Sequence, residues 1–202
     1  VYKRQIISVQ ALFVNTFFDF PLFKGETGWY TRIKVDWKGV AGMLCRRVSL
    51  EELHPALGGG APETGLDIYC RGRTGLLADD GARWAVLILP GGGYERIAPA
   101  EGEPVALAFL AAGIQAFVLS YSVLPALWPR QFLEGAAALA WMRANALELG
   151  FRPDQVAVCG FSAGGHLAGC LAGGYAEPLL NERLGLTPEQ VRPDAAILGY
   201  PV

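Results

Sequence analysis

Beyond residue 38 the chain has no lysine: Lys3, Lys24, Lys34 and Lys38 are the only four, and later positive charge rests on arginine. The lysine-bearing phosphate loop G-x-x-x-x-G-K-[ST] is therefore excluded from the body of the protein. Lys and Arg number 17 against 19 Asp and Glu, a formal net charge of −2. Without a basic excess there is no electrostatic footprint for nucleic acid or an anionic membrane. Four cysteines (Cys45, Cys70, Cys159 and Cys170) contain no C-x-x-C pair. Neither a zinc site nor a disulfide framework is indicated, and the thiols read as free or buried groups of a reducing, cytoplasmic compartment. No metal and no cofactor are expected. Charged residues are scarce at 18% while hydrophobic ones reach 52%, which rules out general disorder. There are no internal repeats.

What is present divides unevenly. The 202 residues suffice for one domain with a sizeable core. Yet all four lysines and five of the ten phenylalanines fall within the first 38 residues. Such a break in composition marks residues 1–42 as a non-native or unassigned leader, with the native domain expected from Met43 to residue 202. Val1-Tyr2-Lys3-Arg4-Gln5 has the form of a translated transposon end from library preparation and is set aside as a scar. The competing reading is a signal peptide, with Lys3 and Arg4 before the apolar stretch from Ile6 to Phe18. Gln10 and Asn15 interrupt that stretch, and no A-x-A-like cleavage site comes after it.

Residues 105–129 and 156–176 are free of Asp, Glu, Lys and Arg and long enough to span a bilayer. Their punctuation argues against it. Pro104 can open a helix that Gly113 closes. Residues 114–119 then read as a buried strand, and Pro125 and Pro129 interrupt the remainder of the run. Six glycines between 160 and 174 suit close strand–helix packing better than lipid. Residues 84–89 form an apolar run ended by Pro90-Gly91-Gly92-Gly93, a buried strand feeding a glycine loop. Leu133, Ala137, Ala140, Ala144 and Leu147 recur at helical spacing, with Glu134, Arg143 and Glu148 on other faces and Gly150 as the stop. Residues 156–159 and 195–198 are further buried strands. The stretch 176–194 is polar, rich in turn-formers, and expected on the surface. Strands alternating with helices predict an α/β fold, a mostly parallel sheet covered on both faces.

Gly160-Phe161-Ser162-Ala163-Gly164 fits G-x-S-x-G between a predicted strand and a predicted helix, the context of a nucleophile elbow. A serine there stands clear of the sheet, and the next backbone N–H points at an oxyanion near a helix N-terminus. Gly91-Gly92-Gly93-Tyr94 comes directly after the earlier strand, where a second oxyanion donor is expected. Three glycines let backbone N–H groups approach a carbonyl without side-chain interference.

The segments LILPGGGY (87–94), AFVLSYSV (116–123), AWMRANALELG (140–150) and VAVCGFSAGGHLA (156–168) resemble the α/β-hydrolase superfamily. The closest resemblance is to its branch of small acetyl esterases, which includes acetyl xylan and feruloyl-type esterases. It covers residues 43–202, weakly before residue 80. Hormone-sensitive-lipase-like members carry His before the triple glycine, whereas Pro90 stands here. The resemblance implies an α/β-hydrolase fold and hydrolysis of a small acyl ester, plausibly an acylated carbohydrate, with no nucleic acid or membrane partner. Ser162 would be the nucleophile; Ala163 N–H with Gly92 or Gly93 N–H would form the oxyanion hole. Tyr94 would either line the substrate pocket or pack the loop.

In this superfamily the acid and then the histidine come after the serine. The two histidines are His54, expected at the surface, and His166, expected as a packed helix residue beneath the site; there is no histidine beyond 166. Asp194, Glu177, Glu182 and Glu189 come too early for the acid. The catalytic Asp and His are thus expected outside this sequence, which reads as the front two-thirds of an enzyme whose final strands and helices are missing. Two alternatives compete: a serine peptidase of the prolyl-oligopeptidase type and a non-catalytic hydrolase-like binding protein.

Overall fold

The computed structural model describes residues 43–71 and 83–202, with the backbone of two short paired strands, Lys24–Gly25 and Gly28–Trp29. The scar, the apolar stretch after Arg4 and the composition break otherwise lie outside the described residues.

Six strands make one sheet: β1 (Met43–Val48), β2 (Gly65–Arg71), β3 (Ala85–Leu89), β4 (Gln115–Ser120), β5 (Val156–Phe161) and β6 (Ala195–Gly199), ordered β1-β2-β4-β3-β5-β6. β4, β3, β5 and β6 run parallel, while β1 and β2 form an antiparallel hairpin joined to β4 antiparallel. The four parallel strands fall within two residues of their sequence expectation. The hairpin left no period-two signal, because the first five residues of edge strand β1 are all exposed. Arg47 binds Asp67 opposite it through both oxygens, at 2.8 and 2.6 Å.

The parallel strands read as continuous apolar runs because both faces are covered. Leu87, Leu89, Phe117, Leu119 and Val158 point into the larger core beneath α1 (Leu50–Leu53), α3 (Arg130–Ala144) and α4 (Ala163–Gly174). Val86, Ile88, Ala116, Val118 and Cys159 alternate with them and meet Ala106 and Leu110 of α2 (Glu103–Ala111) on the other face. The two uncharged runs fold as α2 with β4 and as β5 with α4. Among the described residues no helix is long and apolar enough to cross a membrane.

One expectation needs correction. Glu134 is fully buried rather than on an outer helix face. Its carboxylate accepts from Arg130 Nε at 2.5 Å, Ser122 N at 2.7 Å and Ser122 Oγ at 2.5 Å. A buried charge persists when paired and hydrogen-bonded in this way, and here it anchors the chain leaving β4. The polar stretch 176–194 is mostly exposed, in line with its composition. It contains α5 (Pro178–Leu184) and α6 (Pro188–Val191), which bury Leu180, Leu184 and Val191. Proline begins each helix, Gly185 ends α5 at φ +63°, and Gln190 Oε1 accepts the Thr187 N–H at 2.8 Å. Four buried apolar residues, Leu180, Leu184, Leu186 and Val191, among many polar ones were too sparse to register as a pattern.

Candidate active site

β3 lies between β4 and β5, so the chain leaves β3 toward one neighbour and returns from β4 to the other. α2, between β3 and β4 in the chain, covers one face, while α4, after β5, covers the opposite one. The connections diverge at the carboxyl ends of β3 and β5, the usual ligand position in such sheets. Both glycine motifs emerge there, brought level by the Leu89–Gly160 register.

Ser162 joins β5 directly to α4 with φ +50° and ψ −120°. A non-glycine residue in this region is strained, and such strain is held by the surrounding contacts. The flanking glycines are required by contact. A Cβ on Gly160 would lie 2.0 Å from Gly164 O, and one on Gly164 would lie 2.0 Å from Leu89 O. The Ser162 N–H donates to Gly199 O at 2.9 Å, and Ser162 O accepts His166 N–H at 2.9 Å. The elbow is thereby clamped between β6 and its own helix.

Opposite it runs the glycine loop. A Cβ on Gly91 would come within 3.0 Å of Ser162 Cβ, which puts this loop directly against the serine. Gly91 N–H is committed to Glu101 Oε2 at 2.7 Å, and Gly91 O accepts Ala98 N–H at 2.9 Å. Gly92 and Gly93 take φ +128° and +67°. Gly92 has no room for a side chain, since its Cβ would sit 2.0 Å from Arg96 O, while Gly93 faces open space. Among the described residues the backbone N–H groups of Gly92, Gly93 and Ala163 meet no acceptor. Three free donors beside one serine, one of them at a helix N-terminus, suit an oxygen carrying negative charge.

Tyr94, also at positive φ (+60°), is fastened from three sides. Its hydroxyl pairs with His166 Nδ1 at 2.8 Å, its ring lies 5.8 Å from that of Tyr121, and its carbonyl accepts Leu124 N–H at 2.8 Å. Burial pushes its phenol up to about 12. His166 is exposed rather than packed beneath the site, and its Nε2 lies 3.7 Å from Cys170 Sγ one helical turn on. His54 is half-buried and caps a short turn, its Nδ1 accepting Ala56 N–H at 3.2 Å. Among the described residues no imidazole or carboxylate is hydrogen-bonded to the Ser162 side chain. Asp194 belongs to the other end of the sheet, where it accepts Val156 N–H at 2.9 Å and pairs with Arg143 at 3.1 Å.

Two site-side groups had no sequence signal. Glu101 links the glycine loop to the chain after β6, binding Gly91 N–H with one oxygen and the Tyr200 hydroxyl with the other. Tyr121 is buried and donates to Pro90 O at 2.6 Å, holding the base of the loop. No local motif brings residues 91, 101 and 200 together; the strand order does.

The BD-FAE family matches residues 67–196. A protein named endo-1,4-beta-xylanase B from Butyrivibrio fibrisolvens is 36% identical over 132 residues, 61% of this chain and 20% of that protein. Among solved structures, an alpha/beta hydrolase enzyme from a Medee basin deep-sea metagenome library superposes with TM-score 0.65 at 37% identity, covering 80% of this chain and 58% of its own. An acetyl ester-xyloside bifunctional hydrolase from Caldicellulosiruptor lactoaceticus superposes with TM-score 0.62 at 31% identity, over 78% and 57% of the two chains. The chain thus spans about a fifth of that curated relative and under two thirds of these structures. The family match runs from β2 into β6, takes in both glycine motifs and covers more than half of the chain, and this chain belongs to the BD-FAE family on an α/β-hydrolase fold.

Proposed function

We propose that the protein is a serine carboxylesterase acting on short acyl esters, acetyl above all, carried by carbohydrate. The observation that supports this best is the strained Ser162 lying against the glycine loop, with the free N–H groups of Gly92, Gly93 and Ala163. Ser162 Oγ would attack the ester carbonyl, its proton passing to the departing alcohol, and water would then hydrolyse the acyl-serine to the free acid and restore the serine hydroxyl. Ala163 N–H with Gly92 or Gly93 N–H would hold the oxyanion; one such donor is worth about 3–4 kcal/mol of barrier. Tyr94, tied to His166, would form a wall of the pocket while holding the loop. Preference for acylated carbohydrate is drawn from the names of the xylanase and the acetyl ester-xyloside hydrolase. We also read residues 43–202 as the hydrolase domain, since β1 (Met43–Val48) is a strand of its sheet.

The test, made in a chain extended to the full length of its structural relatives, is turnover of p-nitrophenyl acetate together with a fluorophosphonate probe whose adduct is mapped by mass spectrometry. Ser162→Ala should lower turnover by on the order of 10⁴-fold or more, and the adduct should fall on Ser162. A variant with retained turnover, or an adduct elsewhere, removes Ser162 from the role.

A further inference from the structure

Three consecutive glycines have no side chains with which to lock their own backbone, so the loop's conformation rests on hydrogen bonds from outside. The peptide unit that enters the loop, Pro90 C=O with Gly91 N–H, is held at both ends. The Tyr121 hydroxyl donates to Pro90 O at 2.6 Å, and Gly91 N–H donates to Glu101 Oε2 at 2.7 Å. We propose that Glu101 is a positioning residue for the ester hydrolysis, a carboxylate that turns this peptide so that the N–H groups of Gly92 and Gly93, and not that of Gly91, face the oxyanion; the inference rests on the esterase reading.

The other oxygen of Glu101 accepts the Tyr200 hydroxyl. Tyr200 directly follows Gly199, whose carbonyl accepts the Ser162 N–H at 2.9 Å, and its ring lies 6.0 Å from that of Phe161, the residue before the serine. The corner after β6 therefore meets both sources of oxyanion donors: the elbow through its backbone, and the glycine loop through Tyr200 and Glu101. One carboxylate thus governs the spacing between the Ala163 donor and those of Gly92 and Gly93. Its hydrogen bond pushes the Tyr200 phenol up to about 12, so the hydroxyl remains a donor at neutral pH.

The loop entrance has little slack. A Cβ on Gly91 would lie 2.8 Å from Phe161 O, 2.9 Å from Glu101 Oε2 and 3.0 Å from Ser162 Cβ, which wedges this residue between the carboxylate and the elbow. Glu101 ends the short helical turn Pro99–Glu101; its own N–H donates to Ala98 O at 3.1 Å, and Ala98 N–H donates to Gly91 O at 2.9 Å. The segment from Gly91 to Glu101 is closed on itself by these bonds. Among the described residues no Lys, Arg or His is paired with Glu101, and both its oxygens are occupied by neutral donors. Hydrogen bonds to an ionised acceptor are roughly twice as strong as neutral ones. A Gly91 N–H bound in this way is withheld from substrate, and the next two glycines are left to meet the oxyanion.

The experiment compares Glu101→Ala, Glu101→Gln and Tyr200→Phe in a chain extended to the full length of its structural relatives. Glutamine keeps an oxygen for Gly91 N–H and offers Tyr200 an N–H, without the charge. With p-nitrophenyl acetate, Glu101→Ala should lower kcat at least about tenfold and leave KM within about twofold, while Glu101→Gln should return kcat to within about threefold of wild type. Tyr200 is exposed, so Tyr200→Phe should fold normally and show the same split at a smaller size, about threefold in kcat. A pair of ketones separates positioning from general loosening. 2,2,2-Trifluoroacetophenone, whose carbonyl carbon takes up a serine oxygen and leaves an oxyanion, should lose inhibition in Glu101→Ala by the same factor as kcat. Acetophenone, which does not add, should bind as it does to wild type. Backbone amide shifts need no turnover: Glu101→Ala should move the Gly92, Gly93 and Ala163 signals, and Glu101→Gln chiefly that of Gly91. A change confined to KM, an unchanged or raised kcat in Glu101→Ala, a glutamine no better than alanine, equal loss of both ketones, or unmoved Gly92 and Gly93 signals overturns the proposal. A wild-type extended chain that neither turns over the ester nor is labelled at Ser162 defeats the esterase reading instead, and the amide shifts still decide whether Glu101 sets the loop.

Discussion

The two ends of the same parallel sheet are built on opposite principles. At the amino ends of β3 and β5, polar groups are consumed by the fold. Gln115, fully buried, donates to Arg71 O and Leu149 O at 3.0 Å each and accepts Arg71 N–H at 2.9 Å. Asp194 stitches β5 to Arg143, leaving Arg143 Nε and Gln155 Oε1 as the buried side-chain atoms without partners among the described residues. At the carboxyl ends, Ser162, Gly92, Gly93 and Tyr94 hold positive φ, and three backbone donors stay open. Strained backbone and open backbone donors gather at one end, while at the other every buried side-chain polar atom but Arg143 Nε and Gln155 Oε1 is partnered among the described residues.

The strongest way to break this contrast is Gly164→Ala. Its Cβ would enter Leu89 O at 2.0 Å, and backbone cannot yield as a side-chain end does. Loss of about 3 kcal/mol should appear as a lower urea midpoint, and a midpoint equal to wild type would show that the elbow has slack. Next comes Gly92→Ala, whose Cβ would strike Arg96 O and turn the donors away. In a chain extended to the length of its structural relatives, turnover should fall about 10²-fold with KM little changed, since donors that act in the transition state affect kcat. A change confined to KM would make the loop a pocket wall.

At the quiet end, Asp194→Ala should cost about 1–2 kcal/mol by removing the acceptor of Val156 N–H and the carboxylate beside Arg143, which keeps its bonds to Pro153 O and Arg192 O, while leaving kcat of the extended chain unchanged. Lost activity at full stability would erase the division between the two ends. The smallest effect concerns pH. Burial pushes the Cys70 and Cys159 thiols from 9.0 up to about 12. The unfolded chain therefore releases these protons first. Their contribution to stability is complete below pH 9 and fades as pH rises from about 9 to about 12. Melting temperatures of Cys70→Ala/Cys159→Ala across that range should decline less steeply than wild type; identical slopes would remove the thiols as a cause.

Much of this was legible along the chain because the relevant signals are local. Apolar runs of strand length marked β3, β4, β5 and β6, and G-x-S-x-G needed only its neighbours to be read as an elbow. The same logic marked Gly92, whose φ no side chain would tolerate easily. Glu134 was misread because helical spacing assigns a face and cannot see that Arg130 and Ser122 will neutralise a carboxylate within the core. His166 was placed beneath the site by its sequence neighbours; whether it faces protein or solvent depends on where Tyr94 comes to rest, 72 residues away.

The order of apolar runs, glycines and one serine was enough by itself to determine an α/β sheet with an elbow on β5 and a donor loop on β3, because strand pattern, turn conformation and helix start are properties of a few consecutive residues. The packing of β3 beside β5 and the union of Gly91, Glu101 and Tyr200 were decided only in three dimensions. They depend on contacts between residues far apart in sequence, and those arise from how two sheet faces are buried at once rather than from any local preference.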